Sequence, residues 1–120
     1  MKLGLNGLGR IGKNNLLVTP KFGTRVRLRG IFMEADLAPT GPLDFDPCSG
    51  CDRPCHRACP RNAFRSGTFE RALCKKENDK READAEILDG SIMGIEEPSE
   101  VSKPCRYCEF ACPVAQGASR

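Results

Sequence analysis

The chain has no tryptophan and only one tyrosine and one histidine, and aromatic residues make up 6% of its 120 positions. Large aromatic side chains supply much of the buried area in a small domain, while 12 glycines and 9 prolines add many loop positions. A core of this size is modest. The composition therefore predicts one small domain that needs a further source of stability, which metal binding can supply.

The sequence also lacks any stretch that is long and apolar enough to span a bilayer. Met1-Lys2 is followed by glycines, Asn6 and Arg10 instead of the apolar region of a secretory signal. We therefore expect a cytoplasmic protein with no membrane partner. Disulfides are rare in that reducing compartment, so the eight cysteines indicate metal binding or redox chemistry.

The net charge of +3 is too small to indicate a nucleic-acid partner by itself. Residues 53–76 nevertheless carry seven basic side chains and one acid, whereas residues 77–100 carry nine acids and two bases. This basic segment (residues 53–76) has two interpretations. It is either a solvated surface that partly compensates anionic metal sites, or a docking face for an anionic partner.

Seven of the eight cysteines lie in two short runs, and Cys74 lies between the runs. The first cysteine run (residues 48–60) reads CSGCDRPCHRACP, and the second cysteine run (residues 105–113) reads CRYCEFACP. Two or three intervening residues let a tight loop present several thiolates to one small inorganic cluster. The proline after the last cysteine then bends the chain away from the site. Eight cysteines match the ligand count of two 4Fe–4S clusters.

Each run contains C-x2-C-x3-C and ends in Cys-Pro, which resembles the bacterial ferredoxin run, where the last cysteine reaches the other cluster. This resemblance implies that one cluster is held by Cys48, Cys51, Cys55 and Cys112. It assigns the other cluster to Cys59, Cys74, Cys105 and Cys108. The expected fold is α+β, with a short β-hairpin lead and linker over residues 1–45 and a ferredoxin-like double-cluster domain with short helices over residues 46–120.

Two structural zinc sites are the main alternative, and the protein would then be a zinc-stabilised interaction module that acts through the basic segment. A four-cysteine zinc site would use paired C-x2-C knuckles and has no need of Cys-Pro ends, so the spacing favours clusters. His56 lies inside the first cysteine run and is an alternative ligand. Eight cysteines already fill eight positions, however.

A second alternative comes from Gly7-Leu-Gly9-Arg-Ile-Gly12, which has the form of a dinucleotide fingerprint and would indicate a fragment of a nicotinamide-dependent dehydrogenase. Such a site needs a helix of about three turns directly after the glycines. Pro20 and Gly23 interrupt that segment. The glycines are therefore expected to shape turns.

Between the glycines and the first cysteine run, the pattern predicts a hairpin from Leu16 to Met33 whose second strand turns Val26 and Leu28 toward a core. After that run, helices are expected over residues 68–76, carrying Cys74, and from Asp79 to Gly90. The cationic side chains near the clusters should favour the reduced state. These are Arg53, Arg57, Arg61 and Arg106.

Three sequence features occur in an informative order: residues 9–28 (GRIGKNNLLVTPKFGTRVRL), residues 36–39 (DLAP) and the cysteine runs. Together they resemble the C-terminal part of epoxyqueuosine reductase and its relatives, the corrinoid reductive dehalogenases, and Gly12-Lys13-Asn14 favours the first branch. The resemblance implies a double-cluster module that delivers electrons to a cobalamin-dependent reductase. In that family the last cysteine of the first run shares a cluster with a lone cysteine and the first two cysteines of the second run, which agrees with the assignment above.

The family's cobalamin-binding domain and catalytic acid would precede Met1. We therefore expect this chain to be the electron-transfer part of an oxidoreductase, with no catalytic residue of its own and with cobalamin bound only in company with an upstream domain. The resemblance implies a redox partner protein or a corrinoid-binding domain, and it admits tRNA as a partner. It also makes Lys13 and Asn14 candidates for corrinoid contact; the alternative is that they cap a turn.

Overall fold

The structure, a computed structural model, describes residues 7–88 and 99–116. Its elements in chain order are β1 (Arg10–Ile11), β2 (Leu17–Val18), α1 (Pro54–Arg57), α2 (Arg71–Ala83), β3 (Glu86–Leu88), β4 (Ser99–Val101) and α3 (Tyr107–Ala111). The strands form two separate antiparallel pairs, β1 with β2 and β3 with β4. Short strands combined with helices agree with the predicted α+β class.

A hairpin forms the lead, but its strands differ from the predicted ones. β1 pairs with β2, and the Gly12 amide donates a 2.9 Å hydrogen bond to the Leu16 carbonyl within the turn. The predicted hairpin from Leu16 to Met33 is therefore wrong, because the partner of β2 precedes it and residues 25–33 form no strand.

The alternation of basic and apolar side chains over residues 25–29 has a different cause. Arg27 forms an ion pair with Glu109, with Nη1 and Oε1 3.2 Å apart, and Arg25 donates to main-chain carbonyls at the end of α3. The arginines thus bind α3 instead of sharing the outer face of a sheet. Leu28, predicted to face a core, is 49% exposed.

The glycines of the apparent dinucleotide fingerprint serve the packing of the hairpin. A Cβ atom on Gly9 would lie 2.1 Å from the carbonyl oxygen of Val18, and one on Gly12 would lie 2.8 Å from Cγ2 of Val18. Within the described residues, a turn and β2 follow Gly12 where a dinucleotide site needs a helix. The structure therefore gives the dehydrogenase alternative no support.

The segment around Cys74 forms one continuous helix, α2, instead of the two predicted helices. Asp79 does not begin a new helix, because its carboxylate pairs with Lys75 Nζ at 2.6 Å one turn earlier. Such i,i+4 pairs stabilise a helix across the position where a cap was expected. The predicted helix from Asp79 to Gly90 is also wrong in its second half, since β3 begins at Glu86, and Gly90 itself lies outside the described residues.

Few apolar side chains are buried in the described part of the chain, as the composition predicts. They are Leu17, Val18, Cys55, Ala63, Phe64 and Cys112. Two of the six are cysteines that the sequence assigns as ligands. Cysteine side chains therefore form part of the interior. The predicted linker over residues 36–47 is exposed or half-buried, with Leu37 69% exposed, and Phe32 of the predicted hairpin is exposed as well.

Candidate metal centres

The first cysteine run folds into a loop followed by α1. The Cys51 amide donates to the Cys48 carbonyl at 3.2 Å, and Arg53 takes a left-handed conformation with φ of 57° immediately before Pro54 opens the helix. Proline is favoured there because the first helical residue has no use for an amide donor. This local geometry places Cys55 inside the fold, where it is 7% exposed.

Four cysteines line one cavity and constitute the first sulfur group: Cys48, Cys51, Cys55 and Cys112. Lys13, Asn14 and Val18 from the hairpin line the same cavity, as do Pro113 and Val114 from the end of the second cysteine run and the residue after it. The hairpin is therefore part of the wall around the first sulfur group.

The other four cysteines line a second cavity and constitute the second sulfur group: Cys59, Cys74, Cys105 and Cys108. Cys74 comes from α2, Cys108 from α3, and Cys59 and Cys105 from the loops at the ends of the runs. Ala63, Phe64, Phe69 and Tyr107 supply an apolar lining.

Helix α3 links the two groups, because Cys108 lies within it and Cys112 follows its last residue. Helix α1 packs against α3 and likewise lies between the groups, with Cys55 inside it and Cys59 beyond it. Each run thus contributes to both cavities. This is the arrangement that the ferredoxin resemblance implies, and the role of these cysteines as metal ligands stays a prediction.

Amide donors point at several of the sulfur atoms. The main-chain amides of Lys13, Arg53 and Ala63 lie 3.3, 3.4 and 3.4 Å from Cys48, Cys51 and Cys59 Sγ respectively. Hydrogen bonds to a charged sulfur favour the thiolate over the thiol. They are also one of the ways in which a protein tunes a metal–thiolate site.

Burial raises the pKa of three of the thiols. For Cys55 and Cys74, removal from water is the leading cause and neighbouring cysteines add to it, and the same two causes raise the pKa of Cys108 to about 11. Four thiols that share a cavity lose their protons only if a cation compensates the charge. The donor set and the converging amides therefore fit a metal centre with four thiolate ligands in each cavity. No group of three or more His, Cys, Asp or Glu residues among those described is arranged to hold a single metal ion.

The basic segment is largely neutralised by ion pairs. Arg57 pairs with Asp52 at 2.9 Å, Arg61 with Glu77 at 2.8 Å, and Arg65 with Glu70 at 3.0 Å. Glu77 also accepts from Arg81, and the two arginines, Arg61 foremost, lower the pKa of its carboxyl group. These pairs favour the interpretation as a solvated surface over the docking face.

Two polar residues that contact the segments carrying the cysteines were missed by the sequence interpretation. Asn78 follows Cys74 by one helical turn; its Nδ2 donates to the Cys74 carbonyl at 3.3 Å, and its Oδ1 accepts from the Cys105 amide at 3.0 Å. Glu109 is buried between Arg106 and Arg27, which lower its pKa. The i,i+4 spacing of Cys74 and Asn78 was the available signal for Asn78, whereas no local pattern marks Glu109.

The remaining predicted site residues lie in or beside the hairpin turn. Lys13 is exposed, and its carbonyl is 3.0 Å from Nε2 of His56. Asn14 is 3% exposed, and its Oδ1 accepts from the Leu16 amide at 3.2 Å. The His56 ring stacks on Phe64 with centroids 4.3 Å apart, so this histidine braces the hairpin against the first cysteine run.

The chain is similar in sequence to curated reductases. It is 30% identical over 115 residues to a tetrachloroethene reductive dehalogenase of Sulfurospirillum multivorans, a match that covers 92% of this chain and 22% of that protein. A protein of the same name from Desulfitobacterium hafniense is 42% identical over 61 residues, covering 48% of this chain and 11% of that protein. An epoxyqueuosine reductase of Listeria monocytogenes is 27% identical over 117 residues, covering 92% of this chain and 28% of that protein.

These matches support a relationship to the reductase superfamily that carries the two names. The chain spans between 11% and 28% of the length of these three relatives. No model of a protein family matches the chain, and no solved structure does. Of the residues that the structure describes, no helix has the length and apolarity to cross a membrane.

Proposed function

We propose that this chain is an iron–sulfur electron-transfer module of the epoxyqueuosine reductase type, with one 4Fe–4S cluster in each sulfur group. The observation that carries the proposal is the division of eight cysteines between two cavities that share α3. Four thiolates per cluster is the usual ligand set. Bound clusters would each exchange one electron at a time, and this chain's residues would ligate them, shield them from water and set their potentials.

Residues 1–45 serve, in this proposal, as the lead that covers the first cluster, and residues 46–120 form the double-cluster domain. The contacts of the described part of the hairpin support this division of labour, because its turn donates an amide to Cys48 Sγ and its strand β2 lines the first cavity. Electrons would enter the chain at one of the two sulfur groups and leave it at the other. The order of the two groups in that path is set by the partner proteins.

The proposed acceptor is cobalamin held by a corrinoid-binding domain or by a separate redox partner, with tRNA as the substrate class that the resemblance to epoxyqueuosine reductase implies. Of the two turn residues that line the first cavity, Lys13 is exposed and Asn14 is buried, so Lys13 is the residue proposed to contact the corrinoid. Asn14 is proposed to hold the shape of that turn, since its amide oxygen already accepts from Leu16. The proposed location is the cytoplasm.

The proposal is tested by counting electrons. Anaerobic protein is titrated with a low-potential europium(II) chelate while its visible absorption is recorded, and uptake of about two electrons per chain is expected, one for each cluster. Addition of aquacobalamin should then reoxidise the protein. A sample stripped of metal by a chelator serves as the control, and an intact protein that takes up no electrons would contradict the proposal.

A further inference from the structure

The segment that follows the hairpin holds the end of α3. The guanidinium group of Arg25 donates to the main-chain carbonyls of Phe110 at 3.2 Å, Cys112 at 3.3 Å and Val114 at 3.5 Å. Because α3 ends at Ala111, the carbonyl of Phe110 is among those that the last helical turn leaves without an intrahelical partner. A cation at that position is also favoured by the helix dipole.

Two neighbours of Arg25 fix the same helix. The hydroxyl group of Thr24, a residue that is 3% exposed, donates to the Glu109 carbonyl at 2.7 Å, and Arg27 pairs with the Glu109 carboxylate. Thr24, Arg25 and Arg27 therefore clamp the chain between Cys108 and Val114. The position of the Cys112 sulfur depends on residues that lie more than eighty positions earlier in the sequence.

The positive charge of Arg25 has different partners from the charges of the arginines near the first cysteine run. Arg57, Arg61 and Arg65 each face a carboxylate, whereas the contacts of Arg25 in the described part of the chain are all main-chain carbonyls. Carbonyl oxygens accept the hydrogen bonds without cancelling the charge. A full positive charge thus remains beside Cys112, in a half-buried place where screening by salt is weaker than at the surface.

We propose that Arg25 is a positioning residue for Cys112 and that its charge raises the reduction potential of the cluster in the first sulfur group. This inference rests on the proposed function. Reduction by one electron from an external reductant makes that site more negative by one unit, and no bond to Arg25 forms or breaks. A nearby cation stabilises the more negative state, so removal of the cation lowers the potential.

The test compares Arg25→Gln with wild type by potentiometric titration followed by EPR, after iron and sulfide have been measured in both proteins. Each cluster gives one reduction wave in the titration. The wave that persists in Cys74→Ala belongs to the first sulfur group, because this variant loses a cysteine of the second. In Arg25→Gln the equilibrium constant for reduction of the cluster in the first sulfur group is expected to fall about tenfold. For a one-electron couple this lowers the potential of the wave by about 59 mV. The other wave should stay in place.

Arg29→Gln is the matched control, because it removes the same charge from an exposed position four residues further along the same segment. An unchanged first wave in Arg25→Gln, an equal shift of both waves, or an equal shift in Arg29→Gln would overturn the inference. If Arg25→Gln fails to retain iron, Arg25→Lys decides: it keeps the positive charge, so the wave of the first sulfur group is expected to stay near its wild-type potential, and a tenfold fall of the reduction equilibrium in this variant would overturn the inference. Wild-type protein that holds no cluster would instead overturn the proposed function.

Discussion

Replacing Cys59 with alanine is expected to lower the iron content of the anaerobically purified protein from about eight to about four per chain. Cys59 lies in the first cysteine run but lines the second cavity with Cys74, Cys105 and Cys108. A cluster that loses one of its four thiolates is held by three bonds to the protein, so we expect it to be lost. Iron and acid-labile sulfide analysis, with EPR of the reduced protein, measures the loss.

Double variants show which cluster has been lost. Cys59→Ala combined with Cys74→Ala should hold as much iron as Cys59→Ala alone, since both residues serve the second sulfur group. Cys59→Ala combined with Cys55→Ala should hold almost none, although these two cysteines are only four residues apart. If each run held its own cluster, the two double variants would give the opposite results.

Replacing Gly23 with alanine is expected to separate the hairpin from the second cysteine run. A Cβ atom at Gly23 would lie 2.2 Å from the main-chain oxygen of Val114, and the residue has a φ of +57°. The clash is with backbone, so it is relieved only if the hairpin or the chain after Cys112 moves. We expect the free energy of unfolding to fall by about 3 kcal/mol or more, and the iron of the first sulfur group to be lost.

Gly67→Ala is the control for that variant. Gly67 also has a positive φ, +86°, but a Cβ there would meet nothing within 4 Å. Only the cost of the left-handed conformation remains, about 1 kcal/mol. Urea unfolding under anaerobic conditions compares the two variants as they are purified, and equal midpoints would show that the hairpin does not pack against Val114 as the structure has it.

The sequence allowed the α+β class, the extended linker and the modest core to be predicted, because composition and local turn residues determine these features. It also indicated that Cys112 belongs with the first run, through resemblance to a known spacing. The hairpin register was missed because Gly9 and Gly12 act through close contacts with Val18. Such contacts produce no alternating pattern of apolar and polar residues that could be read from the sequence. The strict alternation over residues 25–29 suggested a strand instead.

The clamp on α3 lay beyond sequence reasoning for a related reason. Arg25 and Arg27 find their partners more than eighty residues away, and nothing local distinguishes them from arginines on the outer face of a strand. The continuity of α2 was missed because the spacing of Asp79 and Glu82 is typical of a helix N-terminus. Their effect was overridden by the Lys75–Asp79 pair one turn earlier, which stabilises the helix through that point.

Metal and sulfide content tests the central claim most directly. Iron, zinc and acid-labile sulfide are measured per chain on protein that has been purified without oxygen. Two clusters held by the two sulfur groups predict about eight irons and eight sulfides with little zinc. About two zinc ions per chain and no sulfide would contradict the claim, and the two cavities would then be structural zinc sites.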